Sequence, residues 1–296
     1  MDNFITVFTA TYNRGDKLPI LYKSLLAQTN KKFEWIVIDD GSTDMTEKYF
    51  ENIDTVDFPI YYFKTVNGGK HRAINLGVKK AKGNYFFIVD SDDSLLPYAI
   101  DKVYTWIKKL PDDFAGVSGL RGFSESQPMG NIDCFSGREY LDKTNIERRK
   151  MNSLQDMAEV YRTEILKQYP FPEFEGENFL TEGIVWNSIA ADGYKIRWYK
   201  TIIYICEYLK DGLTYQGRQK LINNKKGYGL SMWQEIHYFP HTLKEKMLIY
   251  NDFYCDMYKT CNLQEISDLV KFPLLLYWIV VVIFKIRKLF HRKGVK

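Results

Sequence analysis

The chain has 296 residues, 45% hydrophobic and 16% aromatic, which is ample for a packed core and excludes wholesale disorder. Its net charge of +4 is unevenly spread: the last twelve residues, KIRKLFHRKGVK, hold six Lys or Arg and no acid, so removing those six cations leaves the remainder at −2. A near-neutral body with a basic tail excludes a nucleic-acid binder with a basic face.

The first half alternates strand and helix patterns. Phe4–Thr9 reads as a buried strand, followed by the polar turn Tyr12-Asn13-Arg14-Gly15. Asp16 is placed to cap a helix with Leu18, Leu21, Tyr22, Leu25 and Leu26 on one face. Phe33–Ile38 is a second strand ending in Asp39-Asp40-Gly41-Ser42-Thr43-Asp44, a turn and the cap of the next helix. Ile60–Val66 is a third strand. Asn67-Gly68-Gly69-Lys70 follows it, then a helix with Ile74, Gly77, Val78 and Ala81 on one face, stopped by Gly83. Tyr85–Val89 is a short buried strand that breaks into Asp90, Asp92 and Asp93. Strands alternating with such helices predict βαβ units and a mostly parallel sheet, whose carboxyl-end turns meet on one edge.

Three carboxylates in four residues repel one another unless a cation sits among them. Oxygen ligands at a strand end suit Mg2+ or Mn2+ carrying a phosphorylated ligand. The plain alternative is helix capping by Ser91, Asp92 or Ser94.

Farther on, Pro97–Lys109 reads as a helix and Phe114–Leu120 as a strand. Arg121–Ile146 has no clear period and is expected to form loops and short strands over the site. Ala158–Tyr161 and Thr163–Gln168 precede an acidic, proline-bearing loop, Pro170–Asn178; Gly183–Ala191 is a short helix and Lys195–Cys206 a strand. No linker composition precedes Asp211, so one catalytic domain is expected over 1–210 and a helical extension over 211–265, with a helix over Lys244–Cys261. Residues 266–296 contain Phe272–Phe284, thirteen residues without a charge, and the basic tail. That run falls short of the ~20 residues a span needs. It predicts a helix lying on, or partly in, an anionic membrane surface, with a core helix or an oligomer contact as alternatives.

The scattered Cys134, Cys206, Cys255 and Cys261 fit a reduced, cytosolic chain, and no signal peptide is visible at the N-terminus. The expected location is therefore cytoplasmic, peripheral or monotopic on the membrane's cytoplasmic face. His237 and His241 stand four apart, but Pro240 between them spoils a helical ligand pair.

Thr9-Ala10-Thr11-Tyr12-Asn13-Arg14, then Val37-Ile38-Asp39-Asp40-Gly41-Ser42-Thr43-Asp44, then Val89-Asp90-Ser91-Asp92-Asp93, in this order, resemble the family 2 glycosyltransferases of the GT-A fold over about residues 4–205. The resemblance implies a Rossmann-like, mostly parallel sheet flanked by helices. It implies an inverting, metal-dependent transfer of sugar from a nucleotide-sugar, UDP-linked by expectation, to a hydroxyl of a glycan or lipid-linked acceptor in surface-polysaccharide assembly. Thr11, Tyr12, Asn13 and Asp40 would hold base and ribose, with Asp39 contacting them or holding the turn. Gly69 and Lys70 would lie near the diphosphate, or form a plain strand–helix turn with a solvated lysine. Asp92 and Asp93 would bind Mn2+ or Mg2+, and Asp90 or Asp92 would orient ribose or sugar.

The general base that inversion requires would be Glu182, about ninety residues after the metal motif, although Thr181 stands where the family often has a second acid. Glu175 and Glu177 are rivals for that role, or solvated loop charges. Trp186 and Trp198 are expected in the core rather than stacked on sugar. Two other functions are weighed. A sugar-1-phosphate nucleotidyltransferase would want a glycine-rich basic loop after the first strand, which Thr11–Gly15 lacks. A catalytically inactive module binding nucleotide-sugar or a partner at the membrane has only Thr181 in its favour.

Overall fold

The structure is a computed structural model describing residues 4–53, 57–149, 151, 156–207 and 217–293, with side chains to residue 284. Two compact units divide the chain: Met1–Phe171 with Val185–Gly212, and Pro172–Ile184 with Leu213–Lys296. Pro172–Ile184, which the sequence reading places in the first domain, groups with the C-terminal helices.

The strands of the first unit are β1 (Ile5–Thr11), β2 (Phe33–Asp39), β3 (Ile60–Lys64), β4 (Tyr85–Ile88), β5 (Ser94–Leu95), β6 (Phe114–Ser124), β7 (Gln127–Pro128), β8 (Tyr140–Lys143), β9 (Met157–Arg162) and β10 (Lys195–Ile205). They share one sheet in the order β3-β2-β1-β4-β9-β6-β10-β5, with β7 on β6 and β8 on β10. β3, β2, β1 and β4 pair in parallel. β9 runs antiparallel between β4 and β6, and β6 pairs in parallel with β10. The chain leaves β1 toward β2 and β3, then returns to β4 on the other side of β1. That reversal is the topological switch point where open α/β sheets take ligands, outside the carboxyl ends of the strands.

β2 is buried at every position and β1 at all but Ala10, which is why both read as apolar runs; β3, at the edge, is only half-buried. Helices α1 (Leu18–Leu26), α2 (Thr46–Glu51), α3 (Lys70–Lys80) and α4 (Ala99–Ile107) connect the first strands and cover the sheet. α1 turns Leu18, Leu21 and Leu25 inward, into a core with Val7, Trp35 and Phe87. The expected Asp16 cap is not made: Lys17 holds the N-cap position, and a proline opens the first turn. α3 lies close on β1 because Gly77 faces Phe8, whose ring would stand 2.3 Å from any added Cβ.

α5 (Asn145–Arg149), α6 (Thr163–Gln168) and α7 (Gly183–Ala191) follow in the chain. β6 runs past the expected end at Leu120 because Arg121 and Gly122 continue its ladder with β10. Trp186 stacks on Tyr161 with ring centroids 4.3 Å apart, and Trp198 donates its Nε1–H to the Lys143 carbonyl at 2.9 Å; both indoles are core residues.

The second unit contains α8 (Gly217–Asn223), α9 (Lys225–Tyr238), α10 (Leu243–Met257), α11 (Leu263–Leu269) and α12 (Leu274–Lys293). Thr242 and Asn262 close capping boxes with Glu245 and Glu265. α11 ends in a Schellman turn: Lys271 is left-handed (φ 50), its N–H bonds to the Asp268 carbonyl, and the Phe272 N–H reaches Ser267. Tyr228, Tyr250, Phe253, Met257, Ile266 and Tyr277 form the unit's core.

Candidate active site

At the carboxyl end of β1, Thr11 is buried, and its hydroxyl oxygen has no hydrogen-bond partner among the described residues. Tyr12 is exposed. Asn13 takes the left-handed conformation (φ 52), which asparagine tolerates better than most residues. There its N–H donates to Ser42 Oγ at 2.9 Å and its Oδ1 accepts from the Thr43 N–H at 2.8 Å. Asn13 thus laces the β1 turn to the β2 turn.

The adjacent aspartates after β2 divide the labour. Asp39 is fully buried, accepting from the Ser42 N–H at 2.7 Å and the Tyr62 hydroxyl at 2.5 Å, so it holds the turn. Asp40 accepts the Gly68 N–H at 2.7 Å on Oδ1 and the Gly69 N–H at 2.8 Å on Oδ2. Burial raises its pKa against the pull of those two amides. Gly41 permits the arrangement, with φ 83 and no room for a Cβ, which would lie 2.8 Å from the Asn67 nitrogen.

Gly69 and Lys70 join this turn to the next. While Gly69 bonds Asp40, Lys70 Nζ reaches Asp90 Oδ1 at 2.5 Å. The ends of β2 and β4 are therefore bridged by two consecutive residues at the start of α3. Lys70 is an ion-pair partner and not a solvated lysine.

After β4, the acids do not cap a helix. Ser94–Leu95 pairs with β10 instead, and α4 begins only at Ala99, with Tyr98 at its N-cap. The three carboxylates meet different surroundings. Asp90 lies between Lys70 and Arg121, whose Nη1 is 3.4 Å from Oδ2. Burial opposes its charge, but the two cations hold its pKa down at about 2. Asp93 is buried, accepting from the Tyr204 hydroxyl at 2.7 Å and the Glu207 N–H at 2.9 Å. Burial and the charge of Asp90 push its pKa up to about 6, against those two bonds. Asp92 is half-buried, its pKa raised by burial and by Asp90.

For a hard divalent cation this donor set fits. Magnesium-like ions are held by one or two carboxylates plus substrate phosphates rather than by an all-protein cage. Among the described residues no group of three His, Cys, Asp or Glu side chains is placed to hold a metal. Asp92 and Asp93 are carboxylates whose ionised forms are disfavoured as they stand, an imbalance that a cation relieves.

Two residues that the sequence reading did not single out complete the turn. Tyr204, on β10, accepts a hydrogen bond from the Asp90 N–H at 2.9 Å while donating to Asp93. Arg121, on β6, lays its guanidinium 4.4 Å from the centre of the Tyr204 ring and donates from Nε to the Met157 carbonyl at 2.9 Å. An arginine ending an apolar strand was the one signal available for either residue.

Glu182 stands in the turn that opens α7, half-buried, in the segment grouped with the second unit. Glu175 is exposed. Glu177 is neither a base candidate nor a solvated loop charge: it is buried, accepting the Lys226 and Gly227 N–H groups at 2.6 and 2.9 Å, and so caps α9. His237 and His241 bond separately, to the Trp233 carbonyl and to Glu235.

A Rossmann-like sheet with aspartates gathered at its strand ends is the architecture of an α/β ligand-binding domain. The Glycosyl transferase family 2 model matches residues 6–169, and the chain belongs to that family. Glycosyltransferase GlyA of Streptococcus pneumoniae serotype 4 is 29% identical over 169 residues, covering 57% of this chain and 23% of GlyA. GlyG of the same organism is 33% identical over 114 residues, 38% of each chain. The chain thus spans less than half the length of either relative. Staphylococcus aureus TarS 1-349, solved in complex with UDP-GlcNAc, superposes with a TM-score of 0.64 at 20% identity, covering 87% of this chain and 74% of that one. The mannosyltransferase PcManGT from Pyrobaculum calidifontis, in complex with GDP-Man and Mn2+, gives 0.57 at 18% identity over 86% and 70%. The architecture is the GT-A fold.

Proposed function

We propose that this glycosyltransferase moves a sugar from a nucleotide-sugar, with UDP as the nucleotide, to a hydroxyl of a glycan or lipid-linked acceptor in surface-polysaccharide assembly, with inversion. The observation that carries the reading is the bridge at the switch point. Gly69 and Lys70 tie Asp40 to Asp90, so a base-side carboxylate and a phosphate-side cation sit within one continuous network.

Thr11, Tyr12, Asn13 and Asp40 form the base and ribose side. Each Asp40 oxygen accepts one backbone N–H and keeps a second lone pair for a ligand donor. Lys70 faces the diphosphate and, with Arg121, offsets the charge of Asp90. Asp92 is the carboxylate offered to Mn2+ or Mg2+; Asp93 orients the turn from behind through Tyr204 and adds a ligand if the turn opens. The cation, when bound, neutralises charge on the departing nucleoside diphosphate. Glu182 is the proposed base that takes the acceptor hydroxyl's proton. Its support is the resemblance and its place at the opening of α7. The donor choice leans on TarS, solved with UDP-GlcNAc and with UDP.

Titration calorimetry of UDP in Mn2+ tests the donor site. Asp40→Asn and Asp92→Asn are each expected to weaken UDP by roughly tenfold or more, the loss of one charged hydrogen bond or metal contact. UDP binding that neither substitution alters would refute the assignment.

A further inference from the structure

α12 is apolar on two opposite faces over its first three turns. Tyr277, Val280 and Val281 are buried against the second unit's core, and the Tyr277 hydroxyl donates to the Tyr250 carbonyl at 2.6 Å. On the outward side, Leu275 is 71% exposed, Trp278 53% and Ile279 40%. A helix serving only as a core element would show charge or amide side chains there. Leu274–Phe284 has none, and the same helix then runs on through Lys285, Arg287, Lys288, Arg292 and Lys293 without an acid.

We propose that this outward face seats on an anionic lipid bilayer, with α12 lying along the surface. Leu275, Trp278 and Ile279 enter the boundary between headgroups and acyl chains, and the cations beyond them meet acidic headgroups. Trp278 suits that depth, its ring being apolar with a polar edge. Charge complementarity points to this occupant, since the run of cations that continues the same helix matches acidic headgroups. Lying on the surface is proposed over crossing because, among the described residues, no single helix is long and apolar enough to cross; α11 and Leu274–Phe284 reach that length only together, and they are bent by 112°. The Schellman turn at Lys271, followed by Pro273, fixes that bend. The proposal is independent of the donor assignment.

The test is flotation of the full chain with vesicles of phosphatidylcholine alone or mixed with phosphatidylglycerol. The wild type is expected to float with the anionic vesicles and to release in high salt. Leu275→Glu/Trp278→Glu/Ile279→Glu should lose roughly tenfold or more of the bound fraction. Lys285→Gln/Arg287→Gln/Lys288→Gln should lose the preference for anionic vesicles, with circular dichroism unchanged in both variants. Equal flotation of wild type and the glutamate variant would overturn the proposal, as would equal recovery of wild type on neutral vesicles. So would a wild-type dimer, broken by the glutamate variant, that binds no vesicle.

Discussion

Tyr204 contacts two of the three acids in the Asp90–Asp93 turn through one oxygen, accepting from the Asp90 N–H and donating to Asp93. Tyr204→Phe keeps the ring beneath Arg121 and removes only the hydroxyl. The Asp93 carboxylate and the Asp90 N–H then each lose a partner, at about 1–3 kcal/mol apiece. The expected result is a fall in kcat/KM larger than that in thermal stability, with the Mn2+ concentration for half activity raised; kinetics at varied Mn2+ read it. Asp93 also predicts a pH dependence. Its native pKa of about 6 lies above the ordinary carboxylate value, so the folded state holds the proton more tightly than the unfolded one. By linkage, the metal-free protein loses stability as pH rises from about 4 through 6, up to about 3 kcal/mol from this group. Asp93→Asn should remove that loss. The stability of the variant relative to wild type, from urea unfolding in EDTA, is expected to rise across that window and to fall back when Mn2+ is added.

Among the elements, α3 positions most of the site, because its first residues carry Gly69 and Lys70 to Asp40 and Asp90. Its seat on β1 depends on Gly77. Alanine there gains about 1 kcal/mol in helix propensity. It also drives a methyl into the Phe8 ring, a steric cost of about 1–3 kcal/mol or more. The clash is expected to win, so Gly77→Ala should lower the urea midpoint and weaken UDP binding together. α3 and its strand neighbours were legible in the sequence, since buried parallel strands read as apolar runs and the helices keep a clear 3.6 period. Interactions between distant positions were not legible. Nothing in Asp90–Asp93 announces that Asp93 faces a tyrosine 111 residues away while Asp90 pairs with an arginine 31 away. Locally these acids read as caps of a following helix; instead Ser94–Leu95 joins β10 before α4 begins. For Glu177 the local reading likewise saw a loop charge, while the partner amides lie about fifty residues on, at the start of α9.

For the whole molecule, the proposals place donor binding on turns of the first unit, and both the base Glu182 and the membrane-seeking face of α12 in the second. Vesicle binding should therefore survive Asp92→Asn, and UDP binding should survive the glutamate variant of α12. Release of free nucleotide from a panel of nucleotide-sugars is the most direct measurement of the central claim. The wild type with Mn2+ is expected to release UDP from one of them. Excess chelator should abolish that release, and Asp92→Asn or Glu182→Gln should cut it by about a hundredfold or more. Release that persists unchanged in chelator and in both variants would contradict the account.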